Sequence, residues 1–172
     1  TEQMMALVRA AGHTVTAEPD GADAAVLNTC GFIDSAKSEA IDSILELAAL
    51  KAAGRLNKLL VAGCLSQRYQ DEILTELPEV DGILGTGSYT EIVPALEAAM
   101  HGETPRCFGD IDHTREDGAR VLATPPYTAY LKIAEGCDNR CAYCVIPSLR
   151  GRYRSRTMES LLAEAGDLAR LR

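Results

Sequence analysis

Three cysteines stand within eight residues, in the run Cys137-Asp138-Asn139-Arg140-Cys141-Ala142-Tyr143-Cys144, at intervals of four and three. Thiolates are soft ligands that select zinc, copper(I) or iron-sulfur clusters, so number and spacing decide among these. A structural zinc site is closed by four ligands, commonly as two close pairs, and no second pair accompanies this run. A four-iron cluster held by only three cysteines keeps one iron open, and an open iron binds a substrate or cofactor directly. The spacing is not that of bacterial ferredoxins, because Pro147 comes too late and the fourth cysteine is missing. A CxxC redox pair of Cys141 and Cys144 beside a bystander Cys137, or a partial zinc site, is the plainer alternative.

Charge around this run is uneven. Five arginines (Arg140, Arg150, Arg152, Arg154, Arg156) face one acid, Asp138, between positions 137 and 156. Interleaved with Tyr153 beside a metal site, they read either as a solvated loop or as a face for an anionic partner such as RNA or an acidic loop. The whole chain carries a net charge of -8, which disfavours a general nucleic-acid-binding surface.

With 172 residues, 47% hydrophobic and 24% charged, the composition is that of a globular protein with one full domain and part of another. No apolar run approaches the length of a membrane span, and the opening Thr-Glu-Gln-Met-Met has no signal-peptide character. The expectation is a soluble, cytoplasmic protein with no membrane partner. Six cysteines in such a chain point to metal or redox chemistry rather than a disulfide framework.

The elements that must position these thiols follow from periodicity. Met4, Met5, Leu7, Val8 and Ala11 form the apolar face of a first helix that Gly12 ends, and a short strand is expected at residues 13–15. Residues 24–28 are a continuous apolar run of the kind a buried parallel strand shows. A long helix over 35–53 follows, with Ala36, Ala40, Ile41, Ile44, Leu45 and Ala48 on one face. Further strands are expected at 59–62 and 80–84, a helix over 66–77 and another over 89–100. Strands alternating with helices imply an α/β fold, an open doubly wound parallel sheet, over residues 1–102.

Cys30 and Cys64 each come directly after a predicted strand. Parallel strands point their carboxyl ends to one edge, where open α/β sheets bind ligands, so both thiols belong on that edge. Position alone leaves each open as a ligand or as a small buried hydrophobe. Residues 103–124 are mostly polar and read as a linker, with Cys107 a passive thiol inside it; His13, His101 and His113 have no ligand spacing. Residues 127–134 read as a strand feeding Glu135-Gly136 and the cysteine loop, and Thr157 caps a terminal helix with Leu161, Leu162, Ala165, Leu168 and Ala169 on one face.

The run Cys137-x3-Cys141-x2-Cys144, with an aromatic before the last cysteine, resembles the radical S-adenosylmethionine signature. That resemblance implies a [4Fe-4S] cluster at Cys137, Cys141 and Cys144 whose open iron chelates S-adenosylmethionine, with Tyr143 near the adenine. Asn28-Thr29-Cys30-Gly31-Phe32-Ile33-Asp34 and Gly63-Cys64-Leu65-Ser66-Gln67-Arg68-Tyr69 are similar to the amino-terminal domain of the methylthiotransferases. In that family three cysteines, one per strand-end loop, hold a second [4Fe-4S] cluster. Cys30 and Cys64 match two of them, and the third is expected upstream of Thr1.

Within the family, Leu131-Lys132-Ile133-Ala134-Glu135-Gly136-Cys137 and Ile146-Pro147-Ser148-Leu149-Arg150-Gly151 resemble the branch that modifies a ribosomal protein; the tRNA-modifying branches carry Pro-Tyr-x-Arg-Gly at the second place. The resemblance implies a transferase that adds a methylthio group to the β-carbon of an aspartate in small-subunit ribosomal protein number twelve, with an electron donor such as flavodoxin. It further implies that residues 125–172 begin a radical S-adenosylmethionine (β/α) barrel. A chain holding only that beginning, without the third ligand of the second cluster, is expected to be inactive alone. The alternatives are a tRNA adenosine methylthiotransferase and a non-catalytic iron-sulfur electron-transfer or docking module.

Overall fold

The computed structural model describes residues 1–112, 118–125 and 127–170. Residues 113–117, with His113 among them, lie outside the described residues, as do Pro126 and residues 171–172. Helix α1 (Glu2–Ala10) leads to strand β1 (Ala24–Thr29), helix α2 (Asp34–Ala52) and strand β2 (Lys58–Gly63). Helices α3 (Cys64–Tyr69) and α4 (Asp71–Glu76) precede β3 (Gly82–Leu84), and α5 (Ile92–Met100) precedes β4 (Arg106–Cys107). The four strands form one parallel sheet in the order β1-β2-β3-β4, so the chain is an α/β protein with helices on both faces of a parallel sheet.

The alternation along β2 builds the two layers. Leu59 and Val61 point to one face and pack with Ile83, Ala40 and Ile44 of α2, Leu65 of α3 and Ile73 of α4. Leu60 and Ala62 point to the other and pack with Leu84, Met4 of α1, and Ile92, Ala95 and Ala99 of α5. Ile44, Leu59, Leu60, Val61, Ile83, Leu84 and Ile92 are all fully buried. Each such side chain contributes about 1.5–3 kcal/mol by leaving water. On α2 the apolar stripe is narrower than its sequence suggests: Ala40, Ile44 and Ala48 are buried, while Leu45 stays 49% exposed.

Four sequence expectations need correction. No strand forms at residues 13–15, because the His13 amide donates to the Val8 carbonyl at 3.2 Å and serves as part of the end of α1. The helix expected over 66–77 is broken at Gln70, whose φ of 44° separates α3 from α4 and turns Ile73 back onto the core that holds Leu65. The stretch expected as linker supplies β4, with Ile83 paired to Arg106 and Leu84 to Cys107. The strand expected over 127–134 is reduced to β5 (Ala134–Glu135), which pairs antiparallel with β6 (Arg154–Ser155). Tyr127, Tyr130 and Ile133 are 75%, 76% and 61% exposed, and of the three only Ile133 adjoins the ladder, its carbonyl accepting the Arg156 amide at 3.0 Å.

After β5 the cysteine loop runs into α6 (Ile146–Arg150), and β6 is followed by α7 (Met158–Arg170). The Ser160 amide donates to Thr157 Oγ1 at 3.3 Å, as expected of a capping threonine. Arg120 pairs with Glu2 of α1 at 2.8 Å and with Glu164 of α7 at 2.5 Å, tying the segment before β5 to both helices. None of the described helices is long and apolar enough to cross a membrane.

Asp81, just before β3, is the polar anchor of the opposite sheet end. It accepts from Lys51 Nζ at 2.5 Å, Lys58 Nζ at 3.2 Å and the Leu59 amide at 2.8 Å. Burial pushes its carboxyl up, but these three donors outweigh burial and hold it below its ordinary value of 3.8. A carboxylate with a lowered folded pKa stabilises the fold above the unfolded value, and that contribution is lost as pH falls through the folded one. Asp81→Asn is therefore expected to cost about 1–3 kcal/mol at pH 7. Melting curves for the two proteins should converge as the pH is taken below 3.8; a difference that persists there would contradict the assignment.

Candidate metal centres

Pairing of β1 with β2 brings Thr29 opposite Gly63, so Cys30 and Cys64 are the next residues out from adjacent strand ends. Both sit on the carboxyl edge of the sheet. Gly31 presses the first loop against the start of α3: a Cβ there would lie 2.9 Å from the Leu65 nitrogen and 3.1 Å from the Cys64 carbonyl carbon. Arg68 of α3 reaches back to donate to the Gly31 carbonyl at 2.9 Å. The two thiols are thus held together by backbone contact. Cys64 is fully buried and Cys30 half-buried.

Cys107 lies two strands further along the sheet, on β4. Burial, with Glu91 beside it, pushes its thiol up to about 11, so it stays protonated and is a poor ligand. Its expected role as a passive thiol agrees with that environment, though it belongs to the sheet and not to a linker.

The loop of residues 137–144 runs from β5 to α6. Cys141 is exposed and Cys137 and Cys144 are half-buried; all six cysteines of the chain are free. The Cys144 amide donates to the Cys141 carbonyl at 3.0 Å, which curls the CxxC part into a turn, and the Cys137 amide donates to the Gly151 carbonyl at 3.1 Å. Tyr143 is 90% exposed. Among the described residues no three His, Cys, Asp or Glu side chains converge tightly enough to hold a metal ion. The donor set nevertheless fits an iron-sulfur centre: three soft thiols on one short accessible turn, which metal binding draws together when it couples to local folding.

Sequence reading missed the link between the two cysteine sites. Arg150, at the end of α6, donates to Glu135 at 2.7 Å, and its positive charge bears on the Cys64 thiol of α3. Burial pushes the Cys64 thiol up, and the Arg150 guanidinium works against that rise. The carbonyl of the neighbouring Leu149, a residue 2% exposed, accepts from Thr86 Oγ1 at 2.5 Å. Glu135 is also held by Lys132; burial opposes its charge, but the two cations keep its carboxyl below the usual range.

The arginine-rich stretch is partly paired within the chain, while Arg140 and Arg152 stay exposed. Arg150 pairs with Glu135, Arg152 with Asp138 at 3.6 Å, Arg154 with Asp112 at 3.7 Å and Arg156 with Glu164 at 2.5 Å. Arg154 and Arg156 keep only 16% and 11% of their side chains exposed. These arginines spend their charge on acids within the chain, and no sequence signal marks partners so far apart.

Comparison with known proteins agrees with this geometry. Residues 1–85 match the uncharacterized protein family UPF0004. The chain is 49% identical over 170 residues, 98% of its length, to the ribosomal protein uS12 methylthiotransferase RimO of Pelotomaculum thermopropionicum, of which it covers 38%. It is 49% identical over 173 residues to the protein of that name from Syntrophomonas wolfei and 47% over 169 to that from Clostridioides difficile, covering 39% and 38% of them. The chain thus spans about two-fifths of the length of the curated relatives it matches. With nearly every residue aligned at this identity, the chain belongs to the RimO family.

Proposed function

We propose that this chain carries the cluster-binding residues of a radical S-adenosylmethionine methylthiotransferase that modifies an aspartate of ribosomal protein uS12. The observation that supports this reading is the placement of the thiols in two sets, Cys30 with Cys64 on the carboxyl edge of the sheet and Cys137, Cys141 and Cys144 on one short loop. Cys137, Cys141 and Cys144 would hold one [4Fe-4S] cluster, and Cys30 and Cys64, with a further ligand, a second. When bound, the first supplies an electron for reductive cleavage of S-adenosylmethionine.

The chain's own residues would do the positioning. Gly31 and Arg68 hold the Cys30 loop on α3, and the Gly151 carbonyl fixes the start of the cysteine loop through the Cys137 amide. Tyr143, 90% exposed on the loop, would stack on the adenine of S-adenosylmethionine. An electron donor such as flavodoxin and a reducing, cytoplasmic setting suit six free thiols. Internal pairing of Arg150, Arg154 and Arg156 reduces the basic face that would have favoured RNA, which supports a protein substrate.

The test is to incubate the complete protein, reconstituted anaerobically, with reductant, S-adenosylmethionine and either uS12 or bulk tRNA. A methylthio mass shift on an aspartate of uS12 is expected, with none on adenosine in the tRNA hydrolysate. A shift found only in tRNA would replace the substrate assignment, and clusters insensitive to S-adenosylmethionine would replace the reaction class with electron carriage.

A further inference from the structure

We propose that Asp112 is a positioning residue that holds the base of the three-cysteine loop on the carboxyl end of the sheet. The inference rests on the metal-centre reading above. Asp112 Oδ1 accepts from the Arg152 amide at 2.6 Å and lies 3.7 Å from Arg154 Nη1. Arg152 follows Gly151, whose carbonyl accepts the Cys137 amide at 3.1 Å. The Tyr153 amide donates in turn to Asp138 Oδ1 at 3.2 Å, so residues 151–153 grip the loop at Cys137 and again at Asp138.

These segments meet without a side chain between them. Gly136 and Gly151 take φ of 76° and 72°, in the left-handed region that favours glycine. A Cβ at Gly136 would run into the Arg152 carbonyl, and one at Gly151 into Asp112 Oδ1 and the Ile111 carbonyl oxygen. A shift of Asp112 is therefore passed directly to the turn that holds Cys137.

Asp112 is itself anchored to the sheet. Its amide donates to Asp110 Oδ1 at 2.8 Å. The Gly109 amide donates to Oγ of the fully buried Ser88 at 2.5 Å, and Gly109 packs so closely on Gly87 that neither has room for a Cβ. Gly87 and Ser88 follow β3, whose carboxyl end lies on the same edge as Cys30 and Cys64. A second tether, from Thr86 Oγ1 to the Leu149 carbonyl at 2.5 Å, holds the other side of the turn. The stretch read from sequence as a linker is thus a strut between sheet and loop.

A charged acceptor makes one of the stronger hydrogen bonds open to a backbone amide. Fixing the base of the loop leaves less to order when the thiols close on a metal. Asp112 acts on the thiols only through Arg152 and Gly151, and supporting contacts of this kind change metal affinity about 10–100-fold.

The test uses the complete protein carrying Cys30→Ser and Cys64→Ser, so that iron is counted at Cys137, Cys141 and Cys144 alone. After anaerobic reconstitution, Asp112→Ala is expected to lose iron to a chelator about tenfold faster. Asp112→Asn, which keeps an oxygen for the Arg152 amide, is expected to recover most of that difference. In the metal-free protein, the Cys137 amide is expected to exchange hydrogen faster in Asp112→Ala, while Leu60 and Val61 of β2 keep their rates. The proposal is overturned, with the metal-centre reading standing, if iron release and Cys137 exchange are unchanged. It is overturned equally if the acceleration extends to Leu60 and Val61, which marks a general loss of structure. If the protein with Asp112 intact takes up no iron at this loop, the metal-centre reading falls and the proposal with it.

Discussion

Replacing Cys137, Cys141 and Cys144 together with alanine is expected to abolish every spectral response to S-adenosylmethionine and to leave the fold intact. The three side chains stand on an exposed turn outside both core clusters. Substitutions at such positions usually change stability by no more than about 0.5 kcal/mol. The backbone bonds that shape the turn, from the Cys144 amide to Cys141 and from the Cys137 amide to Gly151, do not involve the thiols and survive the change. Chemistry is another matter, because the thiolates are the only soft donors that this loop offers and an iron cluster has no substitute ligand there. Cleavage of S-adenosylmethionine should fall at least about a thousandfold, to the level of the uncatalysed background. Absorption and electron paramagnetic resonance spectra recorded with and without S-adenosylmethionine decide the point. A triple variant that still responds would remove this loop from the site.

The parts of the fold that could be read in the sequence are those fixed by local pattern. Residues 24–28 and 59–62 both became strands, the second fully buried and the first half-buried with Asn28 exposed. Placing Cys30 and Cys64 after those runs was enough to put them on one edge, because parallel strands leave no other choice. The break at Gln70 carried no signal, since glutamine has no preference for a positive φ and the turn arises from packing Ile73 and Leu65 on one core. The internal pairing of Arg150, Arg154 and Arg156 was hidden for a related reason. Their charge was visible, but the acids that neutralise it, Glu135, Asp112 and Glu164, come from other elements and are chosen by tertiary structure. Residues 127–132 show the converse: among the described residues this strand-like pattern joins no ladder, and Tyr127 and Tyr130 stay exposed.

Gly63→Ala is expected to be the most damaging single substitution at the sheet-edge site, although it adds one methyl group and touches no cysteine. Gly63 ends β2 with φ 102° and ψ -149°, a region that side chains rarely enter, and occupying it costs about 1–3 kcal/mol. The added Cβ would also meet the Thr29 carbonyl oxygen at 2.5 Å and Asn28 Oδ1 at 2.7 Å. Backbone cannot swing aside as a flexible side chain can, so relief requires the ends of β1 and β2 to part. That movement works against the Thr29 Oγ1 hydrogen bond to the Ala62 carbonyl, 2.7 Å long and buried. A total loss of about 3 kcal/mol is a large fraction of an ordinary domain's stability, and at this chain length it lowers the melting temperature by about 6–12 °C. Cys30 and Cys64 are the next residues beyond the pair that must separate, so their spacing widens with it. Iron bound through those two cysteines should therefore fall by more than half in the complete protein, while iron bound through Cys137, Cys141 and Cys144 is retained. Iron analysis of Gly63→Ala, made alone and in a background lacking each cysteine set, separates the two losses. Equal retention at both sites, with an unchanged melting temperature, would mean that the strand ends are free to move and that this edge does not set the distance between the thiols.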